Sequence, residues 1–348
     1  MNELWFWLVS VMFAIYVVLD GFDFGAGILH LVVAETNEER REVLGAIGPF
    51  WDGNEVWLLA GGGSLFLAFP KVLASGFSGF YLALWLVVWC LMLRGISIEF
   101  RSHVKDGLWR HFWDVTFTAS SVLLAVLFGA ALGNVLRGVP LDATGYFGMS
   151  LWTDFRVGAN PGILDWYTVL IGVFALVTLA AHGALFLAFK TTGPVHDRAR
   201  ALAPRLWLLV LGLWILASYA TSLVNPGIFH NLSRAPLAWV ATLLFLVGLG
   251  LVFAGIKRER FLLAFLGSGA FILGLLAASA ACVYPVMLKS TLDPAFDLTA
   301  FNAAASAHGL RTGLAWWLLG FPLALLYSAF LFRFHRAKVR AAVDGEGY

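Results

Sequence analysis

The chain has 348 residues, 60% of them hydrophobic and 13% charged, with a mean hydropathy of +0.83 and a formal net charge of +2. That balance excludes an ordinary soluble multidomain protein and puts most of the chain in a bilayer. No basic run is dense enough for nucleic acid, and the two cysteines, Cys90 and Cys282, sit in apolar spans outside any CxxC or CxxCH pattern. Disulfide, thiolate-metal and covalent-haem chemistry are therefore excluded, and both cysteines read as packing residues.

In chain order, nine apolar segments stand out, at about 4–33, 54–69, 76–98, 114–136, 163–189, 206–223, 236–256, 261–286 and 312–332. They are long and lack strand-like alternation, so they predict membrane helices and not barrel strands. The opening MNELWFW has no positive n-region and no small-residue cleavage site, so the first span is expected to stay attached. The stretches between the spans are short enough to exclude a separate soluble domain. The outside loops 137–162 and 287–311 carry no catalytic motif, only interfacial features such as Pro140, Trp152 and nearby Trp166.

Lysines and arginines set the orientation. One set of loops and loop ends holds seventeen: Arg40, Arg41, Arg94, Arg101, Lys105, Arg110, Lys190, Arg198, Arg200, Arg205, Lys257, Arg258, Arg260, Arg333, Arg336, Lys338 and Arg340. The alternate set holds six: Lys71, Arg137, Arg156, Arg234, Lys289 and Arg311. The expected topology has the N-terminus outside and the C-terminus in the cytoplasm.

Acids inside the first two spans carry the functional signal. Asp20 lies about 24 Å along the first helix, against a hydrocarbon core about 30 Å thick. A carboxylate there costs roughly 3 kcal/mol, so it faces protein or water. Asp20 and Asp23 are three residues apart and share a helix face, and Asp52 and Glu55 repeat that spacing. The four predict a proton-handling cluster near the cytoplasmic side; capping, or packing pairs with Arg94 and Arg101, is the alternative. Gly21 and Gly25 form a small-xxx-small step, and Gly61, Gly62 and Gly63 open a flat face on the second span. Of eight histidines, His182 alone lies deep in a span, within LVTLAAHGALFLAF. At that depth it hydrogen-bonds, relays protons beside a cofactor, or ligates haem. Structural hydrogen bonding is the favoured reading, since no second histidine faces it at comparable depth.

DGFDFGAG at 20–27, IGPFWDGNEVWL at 47–58, LFLAFP at 65–70, FSGFY at 77–81 and LRGISIEFRSH at 93–103 resemble subunit II of the cytochrome bd-type quinol oxidases. So do ALGNVLRGVP at 131–140, ALFLAFKTTGP at 184–194, YP at 284–285, STL at 290–292 and FNAAAS at 301–306. The resemblance covers essentially the whole chain. It implies an all-α integral membrane protein of nine transmembrane helices, as two four-helix bundles (about 1–136 and 163–286) and one peripheral helix (312–332). It implies a bacterial inner-membrane heterodimer with a haem-bearing subunit I, with room for a small single-helix accessory subunit. Quinol is oxidised there and oxygen reduced to water, with protons taken from the cytoplasm. By the same resemblance this chain ligates no haem. The partner holds b haems with haem d, or b haems alone as the short outside loop after span six allows, and this chain can carry a structural quinone. Carried over, Asp20, Asp52 and Arg94 match proton-path positions, with Asp23, Glu55, Glu99 and Arg101 expected beside them. Trp51, Gly53, Asn54, Gly21, Gly25 and His182 are expected to serve motif and subunit packing. The competing readings are a proton-coupled secondary transporter, against which the lack of paired interrupted spans counts, and a purely structural scaffold.

Overall fold

The computed structural model describes residues 1–234 and 236–339; Arg340 of the basic set lies outside the described residues. The elements are α1 (Asn2–Val33), α2 (Asn37–Ile47), α3 (Trp51–Ala68), α4 (Pro70–Gly79), α5 (Tyr81–Phe100), α6 (Gly107–Arg137), α7 (Trp166–Lys190), α8 (Gly193–Val224), α9 (Ile228–Arg234), α10 (Pro236–Lys257), α11 (Phe261–Val283) and α12 (Ala307–Phe334). Between α11 and α12 lie two short strands, β1 (Val286–Leu288) and β2 (Leu298–Thr299), paired antiparallel. Among the described residues eight helices are long and apolar enough to cross a membrane, or nine if the bent pair α3–α4 counts as one span. The protein is an all-α membrane protein.

Most of the predicted spans fall on single helices, and the differences have local causes. The second span does not run straight. α3 stops at Ala68 and α4 starts at Pro70, with a bend of 118° between them. Proline has no N–H and disfavours helical geometry in the residue before it, and Phe69 indeed leaves the helix at φ −138° and ψ 60°. The predicted start of the third span at 76 therefore belongs to α4, and α5 begins at Tyr81. At the eighth span, residues 284–286 leave the helix to enter the β1–β2 loop, a pairing the apolar pattern did not signal. α8 begins thirteen residues before the predicted 206, because its first turns are polar and project beyond the apolar stretch.

Close approach between helices depends on missing side chains. α1 crosses α7 where Gly25 meets Gly183: a Cβ on Gly25 would lie 2.1 Å from the Leu179 carbonyl oxygen and 2.7 Å from Gly183 Cα. The same helix passes α6 at Gly27, against Ser121, and α6 passes α7 at Gly129 and Gly172. α10 and α11 form a hairpin over Gly248, Gly255, Gly267 and Gly274. This is membrane packing by small residues, where apolar burial drives little because lipid is equally apolar. α1, α3, α5 and α6 are neighbours, as are α7, α8, α10 and α11, and the two groups meet along α1–α7 and α6–α7. α12 leans on α3, where Gly53 admits Tyr327 and Gly313 admits Leu67. Gly62 and Gly63, by contrast, meet nothing within 4 Å, so that flat face is bare in the isolated chain.

The loops of the basic set gather at one end of the molecule. Arg101 Nη1 donates to Asn37 Oδ1 (3.2 Å), Arg198 pairs with Glu39 (2.6 Å), Arg200 pairs with Glu259, and Lys190 Nζ donates to the carbonyls of His335 and Ala337 beyond α12. The alternate loops gather at the other end, where Arg137 pairs with Asp165 and also donates to Asn134 Oδ1, and Lys289 donates to Asn225 Oδ1 (2.9 Å).

Replacing Gly25 with Val should abolish the α1–α7 crossing, since backbone rather than a flexible side chain blocks the new Cβ. The expected loss exceeds about 3 kcal/mol, read as failure to accumulate or a sharply lowered unfolding midpoint in detergent. Gly212→Ala, where a Cβ meets nothing within 4 Å, should change that midpoint little.

Candidate functional site

Three helices bring one charged chain into the interior. Arg94, on α5, is fully buried, and its Nη2 donates to Asp20 Oδ1 on α1 (2.8 Å) and to Glu55 Oε1 on α3 (2.5 Å). Phe24 lies under the guanidinium, with Cζ 4.3 Å from the ring centroid. Asp23 is also fully buried and accepts from Asn54 Nδ2 (2.8 Å), an amide that also donates to the Leu19 carbonyl (3.1 Å). Glu55 is the exception to burial, with 27% of its side chain exposed. It links the buried pair to the bare face of α3.

The structure thus brings Asp20, Asp23, Glu55, Arg94 and Asn54 together. It does not bring Asp52 with them. At 100° per residue Asp52 lies nearly opposite Asn54 on α3, and the face holding Asn54, Trp57 and Gly61 is the one packed inward. Asp52 is exposed, and its side chain makes no hydrogen bond among the described residues. Glu99 is exposed at the end of α5, away from the cluster. Trp51 packs its ring against Gly95, beside Arg94, while Gly21 accommodates Leu179 and His182. His182 is buried, with Nε2 donating to the Val18 carbonyl (3.1 Å), Nδ1 accepting from Ser268 Oγ (2.5 Å) and Phe265 stacked on its ring at 4.8 Å.

Arg101 belongs to a second cluster that sequence reading missed, centred on Asp114 of α6. Arg101 donates through Nε to Asp114 Oδ1 (2.5 Å) and through Nη2 to Oδ2 (3.2 Å). His30 Nε2 (2.7 Å) and Arg40 Nη1 (3.0 Å) complete the set, binding α1, α2, α5 and α6 at the basic end. Asp114 was legible only as an acid at the rim of a predicted span. Tyr16 was missed too, although it precedes Asp20 by one helical turn. Nearby, outside the spans, burial alone would raise the Glu39 carboxyl, but donors from Arg198, Glu35 and Thr36 hold it below the ordinary range. Burial pushes Glu42 above it, although Glu42 accepts from the Thr192 amide (2.9 Å).

The charged cluster is under-satisfied. Asp23 Oδ1, Arg94 Nε and Arg94 Nη1 are buried without a hydrogen-bond partner among the described residues, and at Asp20 the Tyr16 hydroxyl lies against the carboxylate. Most buried polar atoms in proteins are paired, so this concentration sets the cluster apart from the rest of the helix interior. Beside it, a cavity of about 520 Å³ lies among α1, α3, α4, α6, α7 and α11 and the start of α5 and runs toward β1, lined mainly by apolar side chains.

Fold and site together define a polytopic helical membrane subunit built around a buried, ionisable chain. A family model described as cytochrome bd terminal oxidase subunit II matches residues 1–335, and the chain belongs to that family. It is 32% identical over 315 residues to the cytochrome bd ubiquinol oxidase subunit 2 of Bacillus subtilis, covering 89% of this chain and 88% of that one. It is 28% identical over 355 residues to the cytochrome bd-I ubiquinol oxidase subunit 2 of Escherichia coli K12, covering 94% and 92%. In fold it resembles a chain of the bd oxidase from Geobacillus thermodenitrificans, with a TM-score of 0.73 at 16% identity over 96% of this chain and 98% of that one.

Removing only one partner of the buried pair should be costly. Arg94→Met leaves Asp20 buried without its cation, for an expected loss of about 3–5 kcal/mol. The double variant Arg94→Met with Asp20→Leu should recover most of it. Equal unfolding midpoints for the single and double variants, measured by thermal denaturation in detergent, would show that the two groups do not interact.

Proposed function

We propose that this chain is the haem-free subunit of a quinol-oxidising, oxygen-reducing bd-type complex in a bacterial inner membrane, inactive by itself. On this reading it pairs with a haem-bearing subunit I and supplies part of a proton path from the cytoplasm. The basic end is cytoplasmic, in keeping with the positive-inside rule. The α3–α5 face is where the partner packs. Gly62 and Gly63 leave room for another backbone there, and Val56, Leu59, Trp85 and Trp89 are all exposed beside them.

The observation that carries the proton-path reading is Glu55. It is the one acid of the buried cluster that reaches the uncovered face, and it shares the Arg94 guanidinium with Asp20. Reduction of oxygen inside a membrane consumes a proton with each electron, and protons cross hydrocarbon only along ionisable groups and water. Asp20, Glu55 and the Asp23–Asn54 pair hold such protons at fixed atoms, while Arg94 balances their charge. Asp52, on the exposed side of α3, faces the partner and extends the line toward it.

A haem-free role is supported by His182, whose two ring nitrogens are both engaged, by Ser268 and by the Val18 carbonyl. The apolar cavity suits a structural quinone in size, since pockets for such ligands run from about 300 to 1,000 Å³. A quinone bound there supplies apolar contact at the junction of the two helix groups. α1, α6, α7 and α11 would hold it.

Asp20→Asn, made in the assembled complex, tests the path. The Asn amide oxygen still accepts from Arg94 and Glu55 still balances its charge, so haem content and partner recovery should be retained while quinol-driven oxygen consumption falls by about tenfold or more. Loss of the haem-bearing partner at intact per-haem turnover would instead assign Asp20 to assembly.

A further inference from the structure

Inward of the basic end, α1 and α6 press two stripes of residues together. The α1 stripe is Asp23, Gly27 and His30, which share one helix face. The α6 stripe is Asp114, Phe117 and Ser121, and the two run antiparallel: His30 Nε2 meets Asp114 Oδ1 (2.7 Å), and Gly27 meets Phe117 and Ser121. A Cβ on Gly27 would lie 2.1 Å from Ser121 Oγ, so that hydroxyl occupies the space a side chain at 27 would take. Three buried polar atoms therefore follow one another along the seam: His30 Nδ1, Ser121 Oγ and Asp23 Oδ1. The first and the last have no hydrogen-bond partner among the described residues. Ser121 Oγ donates to the Phe117 carbonyl (2.7 Å) and keeps its lone pairs to accept.

We propose that His30 is the group through which protons enter the buried cluster from the basic end, handing them along this seam to Asp23; the proposal rests on the proton-path reading given above. Asp114 fixes the imidazole for that task. Arg40 Nη1 (3.0 Å) and Arg101 Nε (2.5 Å) and Nη2 (3.2 Å) donate to the same carboxylate, which stays an acceptor toward His30. Nε2 therefore carries the hydrogen at that contact, and Nδ1 presents its lone pair away from it. A carboxylate that orients an imidazole in this way also stabilises the imidazolium when a second proton arrives. Solvent approaches the pair where the Arg40 side chain is 22% exposed.

His30 and Asp23 are seven residues apart, about 10 Å along the helix. The Ser121 hydroxyl and one or two waters, at steps of about 2.8 Å, bridge that length. Phe117 walls the seam with an apolar surface, its ring edge-on to His30 at 5.3 Å. The step is a bare proton transfer. The Nδ1–H bond of the imidazolium breaks, a proton moves through the hydroxyl and water, and an O–H bond forms at Asp23 Oδ1. The neutral imidazole then regains a proton from solvent at the basic end, and no electron moves. Glu55 opens the cluster at the uncovered face, and His30 opens it at the basic end.

The test uses the assembled complex, unsubstituted and with His30→Gln, Ser121→Ala or Asp23→Asn. The glutamine amide keeps an N–H for Asp114 but cannot take up and pass on a proton. Two quantities are read: the rate of proton uptake from solution when oxygen is mixed with the fully reduced complex, followed with a pH-indicator dye, and the solvent deuterium isotope effect on turnover. His30→Gln should keep haem content and unfolding midpoint, slow uptake per haem by about tenfold or more and enlarge the isotope effect. A purely structural role for His30 would move neither kinetic quantity. Ser121→Ala removes no charge and should slow uptake in the same direction, so it carries the test if His30→Gln fails to assemble. Unchanged uptake in His30→Gln, or in Ser121→Ala where that variant stands alone, with slowed uptake in Asp23→Asn, would overturn the entry role and leave the path through the cluster standing. Unchanged uptake in Asp23→Asn as well would overturn both.

Discussion

A guanidinium buried in the middle of a membrane protein cannot be left alone, and the arrangement of α1, α3 and α5 follows from that constraint. Moving an ion of this size out of water costs several kcal/mol even after relaxation, so Arg94 must be met by carboxylates at hydrogen-bond distance. Asp20 and Glu55 meet it from two other helices, which fixes the rotation of each helix about its axis. A quarter turn of α3 would withdraw Glu55 and Asn54 together. The face of Phe24 covers the cation from the side that no carboxylate reaches, adding the attraction of a ring quadrupole. Burial of one charge thus specifies the register of three spans.

Charge sets rotation, and glycine sets distance. α1 can stand at the centre of the molecule because it is narrow where it crosses its neighbours, at Gly25 against α7 and at Gly27 against α6. The same helix carries Asp20 and Asp23 in the turns just before those narrow points. DGFDFGAG therefore combines two requirements that would otherwise compete for the same turn: acids facing inward toward α3 and α5, and backbone facing α7 and α6.

Much of this was readable from residue order. Span number and the two-sided distribution of cations follow from hydropathy and charge, because a bilayer imposes both on any helical chain. The acids of α1 stood out because nothing apolar explains them. Rotation about the helix axis was harder to read. Asp52 and Glu55 share a spacing, but which face of α3 turns inward depends on partners at Leu19, Asp23 and Arg94, all distant in sequence. The break at Phe69 was announced by Pro70, yet a continuous apolar run masked it. Asp114 was hidden for the opposite reason: beside a charged loop an aspartate looks solvated, and only the folded chain brings His30, Arg40 and Arg101 around it.

Asp114 and Asp20 are both fully buried aspartates facing arginine, and their hydrogen bonding separates them. Both oxygens of Asp114 are filled, by donors from His30, Arg40 and Arg101. A carboxylate so enclosed has no lone pair to offer, and its protonation would break several bonds at once. It behaves as a fastener for the loops at the basic end, a role that demands saturation. At Asp20 one oxygen is bonded to Arg94 and the carboxylate otherwise has only the Tyr16 hydroxyl against it, while one oxygen of Asp23 and two nitrogens of Arg94 have no partner among the described residues. On the proton-path proposal that slack matters, because each protonation state has to find a tolerable set of contacts without rebuilding the site. The difference in saturation, more than burial or charge, is what distinguishes the carboxylate that fastens helices at Asp114 from the less enclosed one at Asp20.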